Sequence, residues 1–241
     1  EDAFKFGSAM SGNLQIERGD RAYVRDYVNE SDQEAILESI RDAARRSDVV
    51  IATLHTHEGE NENWYATYAP KFVEEFARKT IDAGATCFVG QGAHFPRGVE
   101  VYKGCPIFYN LGSLLMEFES GESMISPEMY ETYHLGPDAH PSDLHSNRAR
   151  KPDGSWNGFY SERRFSTNFL VVLDIDEEGA SYEIVPLDLD MHRENNLKRG
   201  LPEVSAPEEG KKFAEYLAHA SERYGVAFAY CEETGAISFD A

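Results

Sequence analysis

The 241 residues are enough for one large domain or a domain with an appendage, and 41% hydrophobic with 12% aromatic side chains can fill a sizeable core. The 43 acidic against 23 basic residues leave a formal charge of −20, which argues against a nucleic-acid backbone or an anionic membrane surface as the main partner, since both would be repelled. No apolar run approaches the roughly 18 residues of a membrane span, and the N-terminus does not read as a signal peptide. Three scattered cysteines make neither a disulfide framework nor a thiolate zinc site; Cys87 and Cys105, in apolar runs, read as small core residues.

In chain order, residues 1–30 read as an irregular segment, and residues 31–241 as one domain with a long insertion at about 120–165. From Ser31, a plausible N-cap, "SDQEAILESIRDAARR" predicts a helix with Ala35, Ile36, Ile40 and Ala43 at helical spacing. Val49–Leu54 follows as a buried strand. Pro70 opens a second helix with Phe72, Val73, Phe76, Ala77 and Ile81 on one face and Gly84 as its stop. "ATCFVG" is the next strand, so strand, helix and strand form a βαβ unit and a parallel pair. Tyr102-Lys103-Gly104 turns Val99–Tyr102 into Pro106–Tyr109. The insertion is rich in Gly, Pro, Asp and Ser, holds His134, His140 and His145, and reads as irregular. A hairpin turning at Glu177–Gly179, a helix from Pro207 to Tyr224 and two short strands around "EETG" complete a mixed α/β protein.

The first strand runs straight into His55-Thr56-His57-Glu58. In extended chain, residues i and i+2 project to the same side, and at the carboxyl end of a parallel strand they face the crevice where open α/β sheets bind ligands. Imidazole is a common ligand for Zn, Fe and Mn, and Glu58 or Glu60 could add a ligand, an orienting hydrogen bond or a proton acceptor. H-x-H alone also fits two histidines capping a strand. The second strand adds weight, because it ends in Gly90-Gln91-Gly92-Ala93-His94 on the same sheet edge. Three imidazoles from two strand ends make a metal site with room for water. Arg97 could grip a carboxylate or phosphate bidentately or be a solvated surface residue. Trp64 could wall the pocket or cover the core. The aromatic run 155–165 beside Arg163 and Arg164 reads either as a substrate surface or as a packed loop.

The stretches "SDVVIATLHTHEG", "FARKTIDAGATCFVGQGAHFPRGVEVYKGCPIFYNLGSLL" and, more weakly, "RGLPEVSAPEEGKKFAEYLAHASERYGVAF" resemble the bacterial capsule-synthesis proteins of CapA type, the poly-γ-glutamate synthesis family, which are similar to calcineurin-like metallophosphoesterases. The resemblance covers roughly residues 30–235. It implies a layered α/β sandwich with mixed sheets and a metal-supported hydrolytic site at strand ends, with His55 and His94 on the family's histidine positions and His57-Glu58 matching an H-x-H-E subgroup. Three departures stand out. Gln91 replaces a histidine, Asn110 and Ser113 exchange Ser and Asn within Tyr109-Asn110-Leu111-Gly112-Ser113, and the family's N-terminal half, with its Asp, Asn and Glu ligands, has no recognisable counterpart. That half is expected to be missing here, reduced, or carried by a partner chain.

The expectation is thus a metal-dependent hydrolase with one divalent ion (Zn, Mn or Fe), or two if a further segment supplies ligands. His55, His57 and His94 would hold it, a metal-bound water would attack, and Glu58 would accept the proton. Gln91, Arg97, Asn110 and Trp64 are the expected substrate-binding residues, for a small molecule or glutamyl polymer with a γ-glutamyl amide or phosphoester-like bond. The family suggests the cell envelope or the extracellular space. The alternative is a non-catalytic binding component of a capsule polymer synthesis or export assembly.

Overall fold

The computed structural model describes residues 3–8, 12–21, 23–116, 126–176, 180–195 and 198–240. The segment expected to be irregular opens instead with an antiparallel hairpin, β1 (Ala3–Ser8) and β2 (Gly12–Glu17), with Phe4 opposite Ile16 and Phe6 opposite Leu14. Its sequence alternates apolar and polar residues with period two, which is a strand signal short enough to be lost between glycines. Helix α1 (Glu30–Ala44) begins earlier than expected because Asn29, not Ser31, caps it: its Oδ1 accepts from the N–H groups of Ser31 and Asp32. Its inward face also differs. Leu37 is buried and Ile40 packs on the core, whereas Ile36 lies exposed.

Strand β3 (Ile51–His55), helix α2 (Lys71–Asp82) and strand β4 (Cys87–Gln91) form the βαβ unit, with β3 parallel to β4 from Ile51 opposite Cys87 to His55 opposite Gln91. On α2, Val73, Ala77 and Ile81 are buried, with Phe72 and Phe76 packed beside them, as the periodicity requires. Gly84 ends the segment with a φ of +105°, a left-handed turn that glycine adopts without strain. Strands β5 (Val99–Tyr102) and β6 (Cys105–Phe108) pair antiparallel around Lys103-Gly104, both with positive φ. Strand β6 then lies parallel to β4, giving a mixed sheet in the order β3-β4-β6-β5.

The insertion is less irregular than its composition implies. Pro127–Thr132 (α3) and Pro141–Ala149 (α4) are helical, each with proline in its first turn, while 120–125 lie outside the described residues. Strands β7 (Thr167–Ile175) and β8 (Ala180–Asp188) form the expected hairpin; its turn, 177–179, lies outside the described residues. With β9 (Glu203–Val204), β10 (Phe228–Tyr230) and β11 (Ile237–Phe239) they make a second, antiparallel sheet. Helix α5 (Pro207–Ala220) supplies Phe213 and Leu217 to a core shared by the two sheets, with Val99 and Phe108 from one and Phe169, Ile184 and Ile237 from the other. The architecture is therefore a mixed α/β arrangement of two sheets with helices, as the sequence implied. Among the described residues, no helix is long and apolar enough to cross a membrane.

Two buried carboxylates tie these layers together. Glu100 on β5 accepts from Arg78 of α2 at 2.8 and 3.1 Å and from the Tyr109 hydroxyl, while Glu74 of α2 accepts from Arg223 and the Tyr224 hydroxyl. Both carboxylates are 8% exposed, so these bonds replace lost hydration. The cysteines divide by environment. Burial pushes the Cys87 thiol up to about 11 and raises that of half-buried Cys105, whereas Cys231 is exposed and its hydrogen bond with Thr234 lowers it. Alkylation of the native protein at pH 8 is expected to modify Cys231 first, Cys105 more slowly and Cys87 only on unfolding, in an order readable by peptide mass spectrometry.

Candidate functional site

The parallel register sets His55 at the end of β3 beside Gln91 at the end of β4. Pairing continues one step further, because the Thr56 N–H donates to the Gln91 carbonyl at 2.8 Å. The His55 and His57 rings emerge together, with centroids 5.2 Å apart and their Nε2 atoms separated by 3.4 Å. After β4 the chain reverses at Gly92. A Cβ there would sit 2.6 Å from the Thr56 carbonyl oxygen and 3.1 Å from the His55 ring, so only glycine lets the two strand ends approach. The turn delivers His94, itself with a φ of +65°, and its ring centroid lies 5.7 Å from that of His57.

His94 is the most sheltered of the three. Its Nδ1 lies 3.2 Å from Ser113 Oγ, and the Ser113 N–H donates to buried Asn168 at 3.0 Å. Donation from Nδ1–H to that hydroxyl leaves the Nε2 lone pair for a ligand. Burial first, then the neighbouring His57 and His55, hold its pKa below the ordinary histidine value, so the ring is neutral near pH 7. Glu58 turns its carboxylate back to accept from the Thr56 hydroxyl at 3.2 Å. Partial burial, then a hydrogen bond with Asp26 and the charge of Glu58, raise the Glu62 carboxyl. Glu60 is committed elsewhere, in an ion pair with Arg223 at 2.7 Å.

Two imidazole nitrogens bound to one tetrahedral zinc at about 2.0–2.1 Å stand about 3.3–3.4 Å apart, which is the separation of the His55 and His57 nitrogens. That pair fits a divalent ion. Among the described residues, no three His, Cys, Asp or Glu side chains stand close enough to hold an ion together, so a third protein ligand requires His94 or Glu58 to turn.

The other expected residues divide sharply. Gln91 is exposed beside the rings. Trp64 is half-buried, its indole N–H donating to the Ala93 carbonyl at 3.2 Å and its ring packed near Phe159 and Phe165. Arg97, read as either a ligand grip or a solvated residue, is neither solvated nor turned to the crevice: it is 1% exposed and donates to the carbonyls of Glu58 (2.6 Å) and Trp64 (3.1 Å). Asn110 is equally buried; its side-chain oxygen accepts from the Gly112 N–H and its carbonyl from the Arg97 N–H. His134, just past α3, and His140, the N-cap of α4, are exposed, and the His145 side chain lies outside the described residues. Arg163 pairs with Asp188 and Glu209, and Arg164 with Glu162.

Sequence reading missed Ser113 and Asn168, and had Phe159 only as part of the aromatic run 155–165. Ser113 was in view only as an exchanged motif residue; nothing local marks Asn168 as a neighbour of the site. The Phe159 ring lies 5.2 Å from His94 and lines a cavity of about 250 Å³ with Trp64, Tyr65, Tyr133, Arg148 and Asn157.

Comparison with known proteins converges on the same stretch. The family model described as bacterial capsule synthesis protein PGA_cap matches residues 8–117, which include all three histidines. That segment, a little under half of the chain, matches the CapA-type capsule-synthesis family. Similar proteins include an uncharacterized protein of Sinorhizobium fredii, 28% identical over 215 residues, or 87% of this chain and 45% of the relative. A probable polyglutamine synthesis accessory protein of Mycobacterium tuberculosis is 30% identical over 96 residues, 40% of this chain and 24% of its own. The PGA biosynthesis protein CapA of Bacillus subtilis is 30% identical over 105 residues, 44% and 26% respectively. The chain thus spans less than half the length of each of these relatives.

Two predictions follow from this geometry. In metal-free protein, His94 titrates below its unfolded value of 6.5, so its effect is absent above that pH. The unfolded chain binds the extra proton as pH falls below about 6.5, and stability should drop until the folded pKa is passed; His94→Gln should flatten this part of a urea-melt series from pH 8 to 5. Gly112, at a φ of +81°, would place a Cβ 1.7 Å from Asn168 Oδ1. Gly112→Ala should therefore cost on the order of 2 kcal/mol in urea unfolding and loosen Ser113 from His94.

Proposed function

We propose that the chain carries the histidine centre of a metal-dependent hydrolase of CapA type, acting on a γ-glutamyl amide or phosphoester-like bond. The reading is carried by one observation, the 3.4 Å approach of the His55 and His57 nitrogens at the end of β3, with the His94 ring from the adjoining strand end beside them. His55 and His57 would hold a divalent ion, with His94 as third ligand; when bound, the ion would serve as a Lewis acid and make water a competent nucleophile near neutral pH. Glu58 would accept the proton: it adjoins His57, and among the described residues its carboxylate accepts only from the Thr56 hydroxyl. Gln91 offers an exposed amide to the substrate at the rim. The aromatic cavity by Phe159 is large enough for one small group of it.

Elemental analysis of protein purified without added metal should find about one ion of Zn, Mn or Fe per chain. His55→Ala and His57→Ala should each weaken binding about tenfold or more, and chelation should abolish hydrolysis of a γ-glutamyl anilide or of an aryl phosphate. Full hydrolytic activity in metal-stripped protein would overturn the assignment.

A second reading is a non-catalytic binding component of a capsule polymer synthesis or export assembly. It is favoured by the lack, among the described residues, of three donors already grouped around one point, and by the accessory role in the name of the mycobacterial relative. It predicts glutamyl-polymer binding that is unchanged by chelation, with neither substrate cleaved.

A further inference from the structure

Arg97 is a cation where the rest of the chain gives no reason to expect one. It is 1% exposed, and among the described residues no carboxylate lies within ion-pair distance, in a sequence carrying 43 acidic residues. Burial pushes its pKa down to about 10, which measures how poorly the charge is compensated. A buried, unpaired guanidinium is costly. What it obtains in return is two backbone acceptors, the carbonyls of Glu58 and Trp64, one on each terminal nitrogen.

Those carbonyls bound the loop that leaves β3. One end carries His57 and Glu58; the other carries Trp64, whose indole donates to Ala93, the residue before His94. The loop is drawn tightly over the guanidinium: a Cβ at Gly59 would lie 2.0 Å from the Asn63 carbonyl oxygen and 3.0 Å from an Arg97 terminal nitrogen. Asn61 and Glu62, at its apex, both take left-handed backbone, with φ of 58° and 59°, a conformation that costs non-glycine residues energy and persists only where surroundings enforce it. Arg97 itself is fixed by its own backbone, the N–H donating to the Asn110 carbonyl at 3.0 Å. A planar fork of donors can serve both carbonyls at once; a lysine could serve one.

We propose that Arg97 is a positioning residue, a clamp that holds the loop bearing His57 and Glu58 in register with the segment bearing His94. Its bearing on metal binding rests on the hydrolase reading above. The clamp itself does not.

Hydrogen exchange of Arg97→Met against the parent protein tests the clamp, and titration with Co(II) tests its consequence. The expected result is exchange at least about tenfold faster in residues 58–66 with the β7–β8 hairpin unchanged, together with Co(II) binding about 10- to 100-fold weaker, the loss typical when groups orienting metal ligands are removed. Arg97→Lys should fall between the two; it carries the same test should the methionine variant not fold. Exchange in 58–66 that is unaltered, or that rises only in step with the whole chain, would overturn the clamp. Unchanged Co(II) affinity despite a loosened loop would overturn its role in setting the histidines. If the parent protein takes up no Co(II), the metal reading fails by itself and the exchange comparison alone decides the clamp.

Discussion

Everything at the site depends on two strands running side by side in the same direction. Parallel pairing of Ile51–His55 with Cys87–Gln91 forces both carboxyl ends to one edge, and the extra bond from Thr56 to Gln91 carries the match past the strands. Side chains that are distant in sequence then share one crevice without needing any loop to search for them. The requirement is strict in one place. Gly92 must pass within van der Waals reach of Thr56 and His55, and any side chain there would push the second strand end away.

Around that edge, rigidity comes from polar groups in dry surroundings. Ser113 braces His94 and is itself held by Asn168 on β7 of the second sheet, so the imidazole answers to a residue more than fifty positions further along the chain. Tyr109 and Tyr224, their tilted rings 5.0 Å apart, each close a buried carboxylate. Satisfied networks of this kind fix one arrangement because each alternative leaves a desolvated donor or acceptor unpaired. The match to the CapA-type family and this geometry point to the same segment, although the relatives extend well beyond it.

How much of this was legible beforehand follows physical lines. The βαβ unit, the Lys103-Gly104 turn and the β7–β8 hairpin were readable because periodicity and turn chemistry are local signals. The convergence of His55, His57 and His94 was readable because topology alone dictates it. Arg97 was misplaced for the opposite reason: a lone arginine in a polar-looking turn gives no hint that two carbonyls from another loop will surround it. The helices of the insertion were hidden by proline and glycine content, although Pro127 and Pro141 sit where first turns tolerate them. The hairpin at the start was missed because glycine and serine separate its short alternating runs.

The Glu74 and Glu100 bonds have a mechanical corollary. Glu74 belongs to the helix between the two histidine-bearing strands, yet its partners Arg223 and Tyr224 come about 150 positions later. Peeling away the last stretch of chain would strand a carboxylate beneath the sheet with no one to share its charge. The helix behind the histidines is thereby riveted to the segment after α5, and damage near residue 224 should be felt at imidazoles that it never touches.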